Sequence, residues 1–338
     1  MNRRIRLAFG FAALTVAVAC APRKPPAADL PLDRAGETIE ADTRALCAFR
    51  PRVTGSDACT RAEEWAAARF RESGLAARLE PWEWPGRLPG AAIPRNAVAE
   101  LPGRDRAAEI VLLAAHLDTV AGSTGANDDA VNAALVLGVA RAIRAAGPAR
   151  RSLRFVLFTG EEQKLLGSRA YVKAHAGELG AHVLAVVYDL GSARTLGFYM
   201  NGRKEELRAL FERALSARGA WRSLLGLYQI WGGTDSFSFV EAGVPALTAY
   251  QDLGPYRAVY HLEKDTVETV DFAASRANAA LAAALVNGVA DDPEPALRRM
   301  TPGETAALLA RHGLGETPPA VSASARPTVL PEAGPARP

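Results

Sequence analysis

The chain has 338 residues, 49% of them hydrophobic and 23% charged, with 40 Lys+Arg against 37 Asp+Glu. That apolar content excludes a disordered chain, and the length accommodates one large domain or two small ones. Arg3, Arg4 and Arg6 account for the net charge of +3, so without the first 19 residues no basic surplus remains for a nucleic-acid partner.

Residues 1–6 are basic and 7–19 apolar, a run too short to cross a bilayer and of the kind found in a signal peptide. Ala17-Val18-Ala19-Cys20, followed by a Pro-rich stretch, resembles a bacterial lipoprotein signal in which Cys20 becomes the lipidated first residue. This implies an exported chain in the cell envelope, periplasmic or at the outer membrane, held to the membrane only by acyl chains. Residues 20–36 then form a lipidated or flexible linker. Export also places Cys47 and Cys59 in an oxidising compartment, which predicts a disulfide between them.

Further along, apolar positions recur at helical spacing over 37–74, with Gly74 as the C-cap. A buried-type strand is predicted at 109–115, then an Ala-rich helix at 130–146 stopped by Gly147-Pro148. Strand 152–159, helix 164–176 and strand 182–188 follow. A helix at 203–218, an extended segment at 244–250 and a long Ala-rich helix at 271–289 complete the series. Residues 296–338 read as a Pro/Ala-rich tail with one helix-like piece at 304–312. The alternation predicts an α/β three-layer sandwich on a mixed, largely parallel sheet, one catalytic domain over 37–295.

In such a sheet ligands bind beyond the carboxyl ends of the strands. The first buried strand ends in His116-Leu117-Asp118, with Asn127-Asp128-Asp129 soon after. The second ends in Thr159-Gly160-Glu161-Glu162 and the third in Asp189, while Tyr260-His261 and Asp265 lie in a later loop. Carboxylates crowded at one apolar rim need a compensating cation. Two imidazoles among several carboxylates suit zinc better than calcium or magnesium, and five ligands suit two zinc ions sharing a bridging carboxylate.

These segments, in this order, resemble the co-catalytic di-zinc aminopeptidases of peptidase family M28, over roughly residues 37–290. The resemblance implies that His116 and Asp189 bind one zinc, Glu162 and His261 the second, and Asp128 bridges them. It makes Asp118 the residue that orients the His116 imidazole, Glu161 the general base that moves a proton from the attacking water to the leaving amine, and Tyr260 the hydrogen-bond donor to the oxyanion. A cis peptide is expected at Asp128-Asp129. Gly233-Thr234-Asp235-Ser236-Phe237 and the Gly243-Val244-Pro245 after it resemble a further family segment, with Ser236 where the family usually has His. Pro51-Arg52-Val53-Thr54-Gly55-Ser56 resembles a segment preceding the catalytic core.

The function implied is a zinc-dependent exopeptidase, with two zinc ions per chain, that removes N-terminal residues from peptides. Two alternatives stand beside it. A glutaminyl cyclase with one zinc shares the scaffold, and Leu190 after Asp189 favours that branch. A catalytically silent binding ectodomain is the other, although such proteins typically lose ligands that this chain keeps. His175, His182 and His312 lack matching partners and read as structural, as do Trp82 and Trp84, while Trp231 lies near the expected pocket. Loops 225–233 and 252–259 should shape that pocket. The sequence fixes no oligomeric state.

Overall fold

The structure, a computed structural model, describes residues 32–215 and 224–314. The proposed signal peptide, Cys20 and the end of the chain beyond 314 lie outside the described residues. Two helices, α1 (Leu32–Ala48) and α2 (Asp57–Glu72), precede the edge strands β1 (Ala76–Pro81) and β2 (Arg95–Leu101). The central strands are β3 (Arg106–His116), β4 (Arg151–Phe158), β5 (His182–Val187) and β8 (Ala246–Gln251), with β6 (Thr195–Tyr199) and β7 (Leu225–Leu227) at the far edge. Helices α3 (Val131–Ala146), α4 (Leu166–Ala174), α5 (Lys204–Leu215), α6 (Ser236–Glu241), α7 (Leu253–Val259), α8 (Phe272–Asp291) and α9 (Pro302–Arg311) connect or follow them.

All eight strands form one sheet in the order β1-β2-β4-β3-β5-β8-β6-β7. The β4-β3-β5-β8 centre is parallel, and β1, β2 and the β8-β6 pairing are antiparallel. Side chains alternate across the sheet with the period of two that strands impose. Val111, Leu113, Phe155 and Val186 enter a core shared with α1, α2, α3, α5 and α8, whereas Leu112, Ala114, Val156 and Val187 face Tyr171 of α4 and Phe239 of α6. Burial on both faces explains why these strands read as continuous apolar runs. Chain order reverses at β3, since β4 lies on one side of it and β5 on the other, so a crevice opens at the carboxyl end of β3.

Several boundaries differ from expectation. The apolar periodicity over 37–74 is two helices, because Pro51 and the Gly55 turn (φ +78°) break the chain before Ser56 caps α2 by accepting from the Cys59 amide. Helix α1 begins at Leu32, inside the segment read as linker. At the other end α9 packs on the domain: Leu308 is buried, and a Cβ on Gly202 would lie 2.4 Å from its Cδ1. The folded unit therefore runs past residue 295.

The expected disulfide is absent, and Cys47 and Cys59 are free, buried thiols. Cys47, near the end of α1, joins the main apolar core, while Cys59, in the first turn of α2, has its Sγ 3.9 Å from the Glu63 carboxylate. Burial pushes the Cys47 thiol up to about 11 and the Cys59 thiol well above its ordinary value, the Glu63 charge adding to the latter. Each sulfur is satisfied in its own apolar or polar niche, held by a separate helix.

Candidate metal centre

His116 is the last residue of β3 and is fully buried. Its Nε2 lies 3.2 Å from Asp128 Oδ1 and 3.2 Å from Asp189 Oδ1, the latter just past the end of β5. On the other side of Asp128, His261 Nε2 lies 3.3 Å from Asp128 Oδ2 and 3.0 Å from Glu162 Oε2. The two oxygens of one carboxylate thus face two separate histidines, each with its own further acid. Asp128 Oδ2, Glu162 Oε1 and Asp189 Oδ2 are buried without a hydrogen-bond partner. Buried carboxylate oxygens in that state are costly unless a cation satisfies them, and histidine with carboxylate is a donor set that zinc accepts. Asp128, Glu162 and His261 form one compact group of metal-capable atoms, and His116, Asp129 and Asp189 another.

The charges on these groups reflect the surplus of acid. Burial is the strongest influence on Asp189 and Glu162, pushing them up to about 6 and about 7. Asp128 goes the other way, because the His116 and His261 imidazoles facing its two oxygens outweigh its burial and hold it at about 2. Burial would lower His116, but the Asp189 charge and bonds to Asp118 and Asp128 raise it well above the usual imidazole range; His261, through Asp128 and Glu162, rises to about 10. Burial, then the charges of Asp189, Asp235 and Glu162, lift Glu161 well above its ordinary value.

The turn bearing Asp128 is tightly specified. Asp265 Oδ1 accepts from the Asn127 amide (2.8 Å) and Oδ2 from the Asp128 amide (3.1 Å), and Ser192 Oγ donates to Asn127 Oδ1 (2.6 Å). The Asp128-Asp129 peptide is cis. Gly125, at φ +63°, admits no side chain, since a Cβ would lie 2.2 Å from Thr119 Cγ2 and 2.5 Å from the Asp128 carbonyl oxygen. Buried Arg52 ties this turn to the strand end by donating to the carbonyls of Leu117, Leu46, Thr124 and Gly125. The Pro51–Ser56 motif is therefore a brace for the site.

Asp118 has a broader part than orienting His116. The His116 Nδ1 lies 3.1 Å from the Asp118 carbonyl oxygen and 3.6 Å from its carboxylate. The carboxylate instead accepts from Thr54 Oγ1 (2.8 Å) and from the amides of Glu161 (3.1 Å) and Glu162 (3.3 Å). Burial alone would raise Asp118, yet His116, then Thr54 and the Gly160 amide, hold it below the ordinary carboxylate range. Glu161 and Glu162 occupy a turn of their own: Lys164 and Leu165 have φ of 66° and 62°, and α4 starts only at Leu166, not at the expected 164.

Asp128, Glu161, Asp189, Tyr260 and His261 line a single pocket with Leu190, Trp231, Gly233, Leu253, Tyr256 and Arg257. All eight residues singled out from the sequence meet in this region. Tyr260 is 40% exposed and stacks on His261 at 3.7 Å between ring centroids. Segment 252–259, expected as a loop, is largely α7. Trp231 stacks on Tyr199 at 5.0 Å and forms a wall. His175 and His182 belong to a separate network with Tyr171, Glu80 and Glu178.

Sequence reasoning missed Asp235 as a group of the site. It is fully buried with neither carboxylate oxygen partnered, and burial pushes it up to about 8. Its neighbour Ser236 is satisfied locally, with Oγ 2.6 Å from Thr248 Oγ1.

The family model "Peptidase family M28" matches residues 96–286. Carboxypeptidase Q of Xenopus laevis is 31% identical over 177 residues, 52% of this chain and 37% of that protein. Aminopeptidase YwaD of Bacillus subtilis is 29% identical over 48% of this chain and 37% of its own length. The chain thus matches well under half the length of these curated relatives. Among solved structures, a peptidase M28 precursor from Shewanella amazonensis superposes with a TM-score of 0.71 at 18% identity, covering 81% of this chain and 98% of that one. BSAP, a zinc aminopeptidase from Bacillus subtilis, gives 0.66 at 17% identity over 80% and 98%. Porphyromonas gingivalis glutaminyl cyclase gives 0.62 at 18% identity over 74% and 97%.

Proposed function

The chain belongs to peptidase family M28, and from that footing we propose that it is a two-zinc exopeptidase that removes N-terminal residues from peptides. The observation that carries the reading is the placement of Asp128, one oxygen toward His116 and the other toward His261. His116 and Asp189 would hold one ion, Glu162 and His261 the other, with Asp128 between them. Bound there, zinc would polarise the scissile carbonyl and lower the pKa of water.

The remaining work falls to the chain's own side chains. Glu161 takes the proton of the attacking water and passes it to the leaving amine; its burial among acids keeps its carboxyl basic enough to accept that proton. Tyr260 donates its hydroxyl to the oxyanion from the pocket rim. Asp118 fixes the backbone from which Glu161 and Glu162 project. The substrate's free amine is drawn to the carboxylate end of the pocket, which favours attack at the first peptide bond. Export and lipid attachment at Cys20 belong to the same proposal, and the mass of the mature chain tests them.

Glu161→Gln tests the central role. Zinc content should remain native while kcat falls by about 10² to 10⁴; near-native turnover would remove Glu161 from the mechanism. Conversion of Gln-led peptides to pyroglutamate, with one zinc per chain, would instead support the cyclase reading.

A further inference from the structure

The pocket has a second pole. Arg257, on α7, is the sole arginine or lysine lining it among the described residues, opposite in charge to Asp128, Glu161 and Asp189. The side chain is exposed. None of the ion pairs or hydrogen bonds among the described residues engages it, whereas Arg169 pairs with Glu241 and Arg203 with Glu206. Leu190, Trp231, Leu253 and Tyr256 supply the pocket's apolar lining, with Tyr199 stacked on Trp231 and near enough to feel the Arg257 charge. Among the described residues nothing consumes the guanidinium, and nothing in the proposed hydrolysis needs it.

We propose that Arg257 recognises a carboxylate on the substrate, so that the preferred substrates are short peptides that carry a carboxylate as well as a free amine. The inference rests on the exopeptidase reading and narrows its substrate class. An amine held at the acidic pole and a carboxylate held at Arg257 orient the peptide as a dipole in the pocket's field. Guanidinium suits this because its fork can bind both carboxylate oxygens. The carboxylate can come from an acidic side chain or from the free C-terminus of a very short peptide. The apolar lining accommodates the aliphatic part of the peptide.

Two matched pairs separate the sources: Leu-Gly against Leu-Gly-amide, and Asp-Gly-amide against Asn-Gly-amide, each assayed on the zinc-loaded full chain and on Arg257→Gln and Arg257→Lys. The native protein should favour the carboxylate member of at least one pair by roughly five- to thirtyfold in kcat/KM, and the pair that shows it identifies the source. Arg257→Gln should bring that ratio close to one, and Arg257→Lys should retain part of it. Equal rates within both pairs for the native protein, or a ratio unchanged in Arg257→Gln, would overturn the assignment. If no peptide is cleaved, the exopeptidase reading fails separately, and calorimetric titration of the same peptides decides the inference. Binding that depends on both the carboxylate and Arg257 upholds it, and binding indifferent to either, or absent, overturns it.

Discussion

Asp118→Asn isolates the link between the strand end and the turn that carries Glu161 and Glu162. The carboxylate is fully buried and accepts three hydrogen bonds, one at Oδ1 from the Glu161 amide and two at Oδ2 from the Glu162 amide and Thr54. An amide of the same shape offers only one oxygen. Thr54 can rotate to accept from the new NH2 group, but a backbone N–H cannot, so in either orientation one of the Glu161 and Glu162 amides faces a donor. An unsatisfied buried donor costs about 1–3 kcal/mol, and the surviving bonds lose their charge assistance, about 1 kcal/mol each. The expected destabilisation is about 3–5 kcal/mol in urea unfolding of the zinc-loaded protein. The turn carrying Glu161 loses an anchor, so kcat should fall more than KM rises. Thr54→Val removes one donor and should cost about 1–2 kcal/mol. The two changes share a carboxylate, so their sum should miss the double variant's cost by about 1 kcal/mol. A loss below 1 kcal/mol for Asp118→Asn with kcat/KM within twofold of native would refute this account of the site's support.

Two other outcomes are expected. Gly125→Ala places a Cβ against Thr119 and the Asp128 carbonyl at a left-handed backbone position, which should cost about 2–4 kcal/mol and lower zinc affinity, read by thermal unfolding and metal titration. Glu63 is buried against Arg95, and desolvation outweighs that pairing to push its carboxyl up to about 7. A folded-state pKa above the unfolded value means that its contribution is fully present below the unfolded pKa and is lost as pH rises through about 7. Unfolding free energies of the zinc-loaded protein across that window should decline less steeply for Glu63→Gln; parallel curves would contradict the assignment.

The central strands and the candidate site residues at their ends were legible because both signals are local. β3, β4 and β5 are buried on both faces and read as apolar runs, and His116, Glu161, Glu162 and Asp189 stand just where those runs stop. The edge strands were not legible: β1 is half exposed with Arg78 and Glu80 on it, and β7 has three residues. Helical spacing continued across the break between α1 and α2 because the flanking helices pack on the same core, and Pro51 was the overlooked signal. Arg52 and Asp265 act through hydrogen bonds to residues far away in the chain, and the burial of Asp235 is set by the tertiary fold, neither of which a local pattern encodes. The disulfide inference failed for a related reason, since cellular compartment says nothing about whether two helices turn their sulfurs toward each other.

The most direct test of the proposed two-metal site is anomalous diffraction at the zinc edge from zinc-loaded crystals of the native protein and of Asp128→Asn. The account predicts two peaks in the native protein, one beside His116 and Asp189 and one beside Glu162 and His261, with Asp128 between them, and loss or marked weakening of at least one in the variant. A single peak, or two peaks that survive the loss of the Asp128 charge at full occupancy, would contradict it.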